Sequence, residues 1–385
     1  MKIKILNVLQ YPSYNGPANT CLEIDAHLKG YGVEVQNLIP TGAEDLKTRF
    51  FERSVSYCEA DLSRLRISLN PHVQYRVFAD FWKTVSNIRS VIKDNAIDVV
   101  IVCGMENPHA AIAGKLEGKK VIGQVLGLGI PKFVRPLIGF WTRLTCDVGM
   151  TPGINLTKYF PGYLPVDKNV SFFPPIDFCV YKYKGKNHQF ASQYGIDTGR
   201  PVIGAVGNIN PAKDYVTFVK SCARIKKLIP GTQFLIKGNV LESQLTLFEN
   251  LKALANRNNL IVNRDIFFVR DEQDSSAALS LMDCYLQTSI GEGVSTALLE
   301  AMSMERLVVA TNVGGTSDVI QDGQNGVLVN PQDHVFISNV VSNLLKDEGK
   351  VENMSSQARR FVLQNTSVEA CASAYLKAID MANEG

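Results

Sequence analysis

Short continuous apolar runs recur along the chain, each followed by a stretch with helical spacing, and this alternation restricts the fold more than any other feature. The runs fall at 3–9, 33–39, 98–103, 120–126, 148–151 and 170–173 in the first half, and at 202–206, 233–236, 266–269, 284–287 and 307–310 in the second. A strand that is apolar at every position is covered on both faces, the condition of a parallel sheet between two layers of helices. Helical spacing at 18–28, and again at 367–381, fits the same scheme.

The pattern stops at Pro174, Pro175 and Ile176, where a polar stretch rich in Tyr, Lys and Gly runs to Arg200. A chain of 385 residues is long enough for two cores. The expected division is an N-terminal domain over 1–178, a C-terminal domain over 179–366, and a terminal helix over 367–385 that packs back toward the N-terminal domain. Doubly wound sheets bind ligands outside the carboxyl ends of their strands. The expected fold is therefore α/β, with two Rossmann-like doubly wound domains facing each other across a cleft.

Composition removes several alternatives. Hydrophobic residues make up 45% and charged residues 20%, too apolar for a disordered chain. The net charge of +3 lacks the dense Lys/Arg stripe of a nucleic-acid binder, so no nucleic-acid partner is expected. The eight cysteines form no C-x-x-C pair, which fits small apolar residues in a reducing compartment and no structural metal. The first apolar run turns polar by Gln10, and no run of 18 apolar residues occurs, so a cytoplasmic chain without a span is expected.

Three loops after strands carry the candidate chemistry. The run SIGEGVSTALLE over 289–300 leads from a strand straight into a helix. Gly291 and Gly293 allow close approach of a ligand, Ser295 or Thr296 can cap the helix, and first-turn N–H groups face an anion such as a pyrophosphate. Glu292 lies in the loop and Glu300 in the second helical turn, two carboxylates that accept hydroxyl donors and suit a sugar nucleotide. A capped helix with surface glutamates is the plainer alternative. The run GAVGNINPAKDY over 204–215 places Lys213 to meet a phosphate, or merely to be solvated at a helix start. The loop at 11–19, with Pro12, Gly16 and Pro17, lacks the G-x-G-x-x-G spacing of a dinucleotide site.

Together these segments resemble the retaining glycosyltransferases of family four, which have the GT-B architecture. Glu292 to Glu300 is similar to that family's E-x7-E signature. The runs VVATNVGG over 308–315 and DGQNG over 322–326 resemble the tail of its donor domain, and PPID over 174–177 its linker. The resemblance implies a metal-independent, retaining hexosyltransferase that needs no cofactor and takes a UDP- or GDP-sugar as donor. Glu292 would contact the donor sugar near the reacting carbon, Glu300 the ribose, and Lys213 the diphosphate. Gly16, Asn208, Gly291, Gly293, Val294, Ser295 and Thr296 would complete the donor site, with Glu292 and Lys213 as the catalytic pair. The acceptor would be a glycan or polyprenyl-linked glycan in surface polysaccharide or glycoconjugate synthesis.

Three positions depart from the family. Asn208 stands where an Arg is usual, Leu126 where many members carry a His, and Gly16-Pro17 where many have Gly-Gly. Two alternatives follow: a sugar-nucleotide-binding protein without catalysis, and a GT-B nucleotide-sugar epimerase. Retention in the family does not need that His, because the donor phosphate can take the acceptor's proton. Cys103, in the matching strand, reads as a small core residue.

Two segments mix aromatic and basic residues. PKFVRPLIGFWTRL over 131–144 contains Phe133, Leu137, Phe140 and Trp141 among Lys132, Arg135 and Arg143, and 75–93 contains Phe78, Phe81, Trp82, Val85 and Ile88. Each reads either as a peripheral contact with the inner face of the plasma membrane or as a helix whose apolar side packs inward.

Overall fold

The computed structural model describes residues 2–63, 71–271 and 274–384; side chains of 71–79, Tyr75 and Phe78 among them, lie outside the described residues. The chain forms two units, one joining the residues up to Pro175 to those from Val368, the other running from Ile176 to Ser367.

The first unit is built on strands β1 (Ile3–Leu9), β2 (Val33–Pro40), β3 (Tyr57–Ala60), β4 (Val99–Cys103), β5 (Lys120–Gln124), β6 (Val148–Pro152) and β7 (Asn169–Phe172). Its helices are α1 (Gly16–Gly30), α2 (Glu44–Glu52), α3 (Pro71–Asp94), α4 (His109–Leu116) and α5 (Arg135–Thr145). All pairings are parallel, in the order β3-β2-β1-β4-β5-β6-β7. Alternate residues of a strand point to opposite faces, which is why Ile5, Leu6, Val8 and Leu9 of β1 can all be buried. Ile5 and Leu9 join one core with α1, α2 and the last helix of the chain, whereas Leu6 and Val8 join a second core with α3, α4 and α5.

The second unit contains β8 (Val202–Val206), β9 (Gln233–Lys237), β10 (Ile266–Val269), β11 (Cys284–Gln287), β12 (Leu307–Thr311) and β13 (Val327–Val329). Its helices are α6 (His188–Tyr194), α7 (Tyr215–Leu228), α8 (Leu245–Arg257), α9 (Ser276–Leu281), α10 (Thr296–Ser303), α11 (Thr316–Val319), α12 (His334–Leu344) and α13 (Glu348–Asn365). The order β10-β9-β8-β11-β12-β13 is again wholly parallel. Each unit is thus a doubly wound α/β domain, and strand order reverses at β1/β4 in one and at β8/β11 in the other.

The last helix, α14 (Val368–Glu384), completes the first unit rather than the second. Tyr375 is fully buried against Phe172, at 5.6 Å between ring centroids, and its hydroxyl accepts a 2.7 Å hydrogen bond from Gln124 Nε2. Two edge strands, β3 and β13, escape the apolar-run reading, as does α6 inside the polar stretch before Arg200. Asn187 caps α6 by accepting from Phe190 N–H, and Gly195 ends it at φ 71°.

Candidate active site

Two loops leave the sheet of the second unit at its switch point, one after β8 and one after β11. Gly207 begins the first at φ 146°, and a β-carbon there would lie 2.7 Å from Lys213 Cε. Only glycine lets the loop fold so closely over the lysine. Asn210 Oδ1 accepts from the N–H groups of Ala212 and Lys213 at 3.0 and 3.2 Å, forming a short 3-10 turn. Lys213 ends that turn, one residue before Asp214, which caps α7 from a left-handed conformation.

The second loop is fastened to the first. Thr288 Oγ1 lies 3.1 Å from the carbonyl of Lys213 and 3.0 Å from that of Asp214, and Ile290 N–H donates to the Ala212 carbonyl at 2.8 Å. A third loop, after β12, supports it from behind. Thr311 Oγ1 donates to the Ser289 carbonyl at 2.5 Å, and Gly315 N–H to that of Gly293 at 2.9 Å. Gly314, at φ 56°, passes so near that a β-carbon would sit 1.8 Å from the Glu292 carbonyl oxygen.

These restraints bring Lys213 Nζ to 2.7 Å from Glu292 Oε1, with both side chains largely buried. Ser289 Oγ donates to the same carboxylate oxygen at 2.8 Å. A charge-assisted pair held by three loops is already oriented, so a ligand meeting it costs little further ordering.

Glu300 projects from the second turn of α10. Ser275 Oγ donates to Glu300 Oε2 at 2.5 Å and lies 3.3 Å from the hydroxyl of Tyr181. Burial lifts the Glu300 carboxyl above its usual range, while the Ser275 and Tyr181 hydroxyls and the nearby Lys213 charge pull it back. Tyr181 is pushed up in turn, chiefly by burial and then by the Glu300 charge. Sequence reasoning missed both partners, because they come from the linker and from the loop after β10.

Lys213, Glu292 and Glu300 are thus gathered with Gly291, Gly293, Val294, Ser295 and Thr296 at the carboxyl end of one sheet. Ser295 is the N-cap residue of α10, but its side chain makes no cap hydrogen bond. Thr296 starts the helix, so the expected side-chain cap is absent and the first-turn N–H groups lack that partner. Asn208 turns its side-chain oxygen to Asn239 N–H at 3.2 Å, a structural bond in place of a cation. Among the described residues, no group of three or more His, Cys, Asp or Glu side chains could hold a metal ion.

Gly16 belongs to the first unit. It opens α1 behind Asn15, whose Oδ1 accepts from Ala18 N–H at 3.1 Å. Glu106, overlooked in the sequence, follows β4 there and accepts from the Tyr11 hydroxyl at 3.3 Å. Cys103 is buried in the core, and Leu126 packs partly buried against it.

The aromatic segments behave differently from each other. In α3, Val85 and Ile88 are buried and Phe81 stacks on His109 at 4.4 Å, leaving Trp82 exposed. In α5 and the turn before it the inward-packing alternative holds only in part: Ile138 is buried in the core with Gly139, Thr142 and Thr145 beside it, whereas Phe133, Leu137, Phe140 and Leu144 are exposed. No helix among the described residues is long and apolar enough to cross a membrane.

Residues 187–361 match the model of the family "Glycosyl transferases group 1". The N-acetyl-alpha-D-glucosaminyl L-malate synthase of Bacillus anthracis is 28% identical over 200 residues, covering 52% of this chain and 50% of that enzyme. The chain spans about half the length of the curated relatives it matches. A glycosyltransferase from Rickettsia africae ESF-5 superposes with a TM-score of 0.80 at 16% identity, over 100% of both chains. Anabaena Alr3699/HepE, solved with UDP and glucose, gives 0.79 at 16% identity, over 98% of this chain and 99% of that one. Most of the second unit is therefore similar to the group 1 glycosyltransferases, within a chain that has the two-unit α/β fold of GT-B glycosyltransferases.

Proposed function

We propose that the chain is a retaining, metal-independent glycosyltransferase of family four that moves a hexosyl group from a UDP- or GDP-sugar to a glycan or polyprenyl-linked glycan. The observation that carries this reading is the Lys213–Glu292 pair at 2.7 Å, at the carboxyl ends of β8 and β11 with Glu300 close by. Lys213 neutralises the charge that grows on the departing diphosphate, an interaction stronger in the transition state than in the ground state. Glu292 accepts hydroxyl hydrogen bonds from the donor sugar, and Glu300, with Ser275 and Tyr181 around it, accepts from the ribose. The bond from the anomeric carbon to phosphate oxygen breaks, the bond to acceptor oxygen forms on the same face, and the acceptor's proton passes to the phosphate.

The complexes of Alr3699/HepE with UDP and UDP-glucose favour a uridine donor here. A lipid-linked acceptor would place the chain on the inner face of the plasma membrane. The deciding experiment incubates the purified chain with UDP- and GDP-sugars and follows nucleoside diphosphate release with and without glycan acceptors. Acceptor-dependent release with an unchanged anomeric configuration is the expected result. Tight nucleotide binding without release would instead favour a catalytically silent binding protein, the reading that Asn208 recommends, and an altered free sugar would indicate an epimerase.

A further inference from the structure

We propose that the α5 face of the first unit docks on the surface of a bilayer containing anionic phospholipid. The purpose of such docking rests on the lipid-linked acceptor proposed above; its geometry stands by itself. Phe133, Leu137, Phe140 and Leu144 are 78%, 53%, 56% and 60% exposed. Their spacing puts all four on one side of the helix and its preceding turn.

Rotation of the helix cannot hide this stripe. The inner face consists of Ile138, Gly139, Thr142 and Thr145. A β-carbon at Gly139 would fall 2.3 Å from the Pro161 carbonyl oxygen and 3.0 Å from that of Phe160, so the helix is seated on the 160–163 segment through its backbone. Thr142 and Thr145 donate their hydroxyls to the carbonyls of Ile138 and Trp141, each at 2.7 Å. The buried side is complete in both shape and hydrogen bonding.

Charge selects the occupant. No acidic residue occurs between Glu117 and Asp147, while Lys132 and Arg143 are exposed near the two ends of the stripe. Apolar side chains flanked by cations suit the boundary between anionic headgroups and acyl chains. A second copy pairing stripe to stripe would bring like charges together at its ends. Arg135 points inward and donates to the carbonyls of Ile130 and Leu128 at 3.1 and 3.0 Å, tying the helix start to the loop that leaves β5. The stripe therefore starts in the loop that leaves the carboxyl end of β5, the end of the strands at which doubly wound sheets receive ligands.

The test uses the full chain with vesicles of phosphatidylcholine, alone or with phosphatidylglycerol, read by sedimentation. Trp141 provides an independent signal in a Trp82→Phe background, because the chain has two tryptophans. Phosphatidylglycerol vesicles should carry the protein down and shift Trp141 emission to the blue. The double variant Phe133→Ser with Phe140→Ser should bind about tenfold or more weakly, and Lys132→Gln with Arg143→Gln should lose the preference for anionic vesicles. Failure of the unaltered chain to bind either vesicle, or undiminished binding by the serine variant, would overturn the proposal. So would a dimer in solution that the serine variant abolishes. Nucleoside diphosphate release, measured without vesicles, reports separately on the transferase reading.

Discussion

Lys213 Nζ sits 2.7 Å from Glu292 Oε1, and the two residues reach each other from loops that follow different strands, β8 and β11. Removal of either partner leaves the other charge largely buried and unpaired. Glu292→Ala should lower transfer by about a hundredfold or more, and Lys213→Ala should weaken nucleoside diphosphate binding by about tenfold. Steady-state rates and isothermal titration check the two effects. Rates like those of the unaltered chain in both variants would remove the pair from the proposed chemistry.

Gly314 offers a test of loop geometry without touching a charge. Alanine there adds a β-carbon at φ 56° and 1.8 Å from the Glu292 carbonyl oxygen, so the Glu292 loop must shift. Gly323, at φ 76° with open space around it, is the control and should cost only about 1 kcal/mol in stability. Gly314→Ala is expected to cut activity by about tenfold or more, with Gly323→Ala close to normal.

His109 gives the first unit an acid limb of its own. It is buried against Phe81, neither ring nitrogen has a hydrogen-bond partner among the described residues, and burial lowers its pKa from 6.5 to about 4. Between those values the unfolded chain binds the proton and the folded chain does not, so stability falls as pH drops from 6.5 toward 4. The loss from this group should reach about 3 kcal/mol. Urea unfolding at several pH values should show a shallower acid decline for His109→Leu; identical slopes would contradict the assignment.

Tyr375 anchors α14 in the first unit through its bond to Gln124. Tyr375→Phe keeps the ring but strands the buried amide, at a cost of about 1–3 kcal/mol. Chemical denaturation measures it, and a change near zero would mean that the amide finds another partner.

Interior strands were legible because burial on both faces leaves no room for polar alternation, as in Val99–Cys103. The edges were not: three of the four residues of Tyr57–Ala60 are half-buried and the fourth is exposed, so the run does not read as apolar. Glu292 and Glu300 stood out because they share one loop and helix. Tyr181 and Ser275 did not, since their roles depend on contacts across 119 and 25 residues of chain, respectively, to Glu300. For α5 the period of 3.6 marked an apolar stripe without saying which way it faced. The close seat at Gly139 decided that, and only the folded chain reveals it.

The most direct measurement is a crystal structure of the chain with a nucleoside diphosphate sugar bound. The diphosphate should lie against Lys213, the ribose against Glu300 and the hexose against Glu292. A nucleotide bound elsewhere on the chain, with those three side chains untouched, would contradict the proposed donor site.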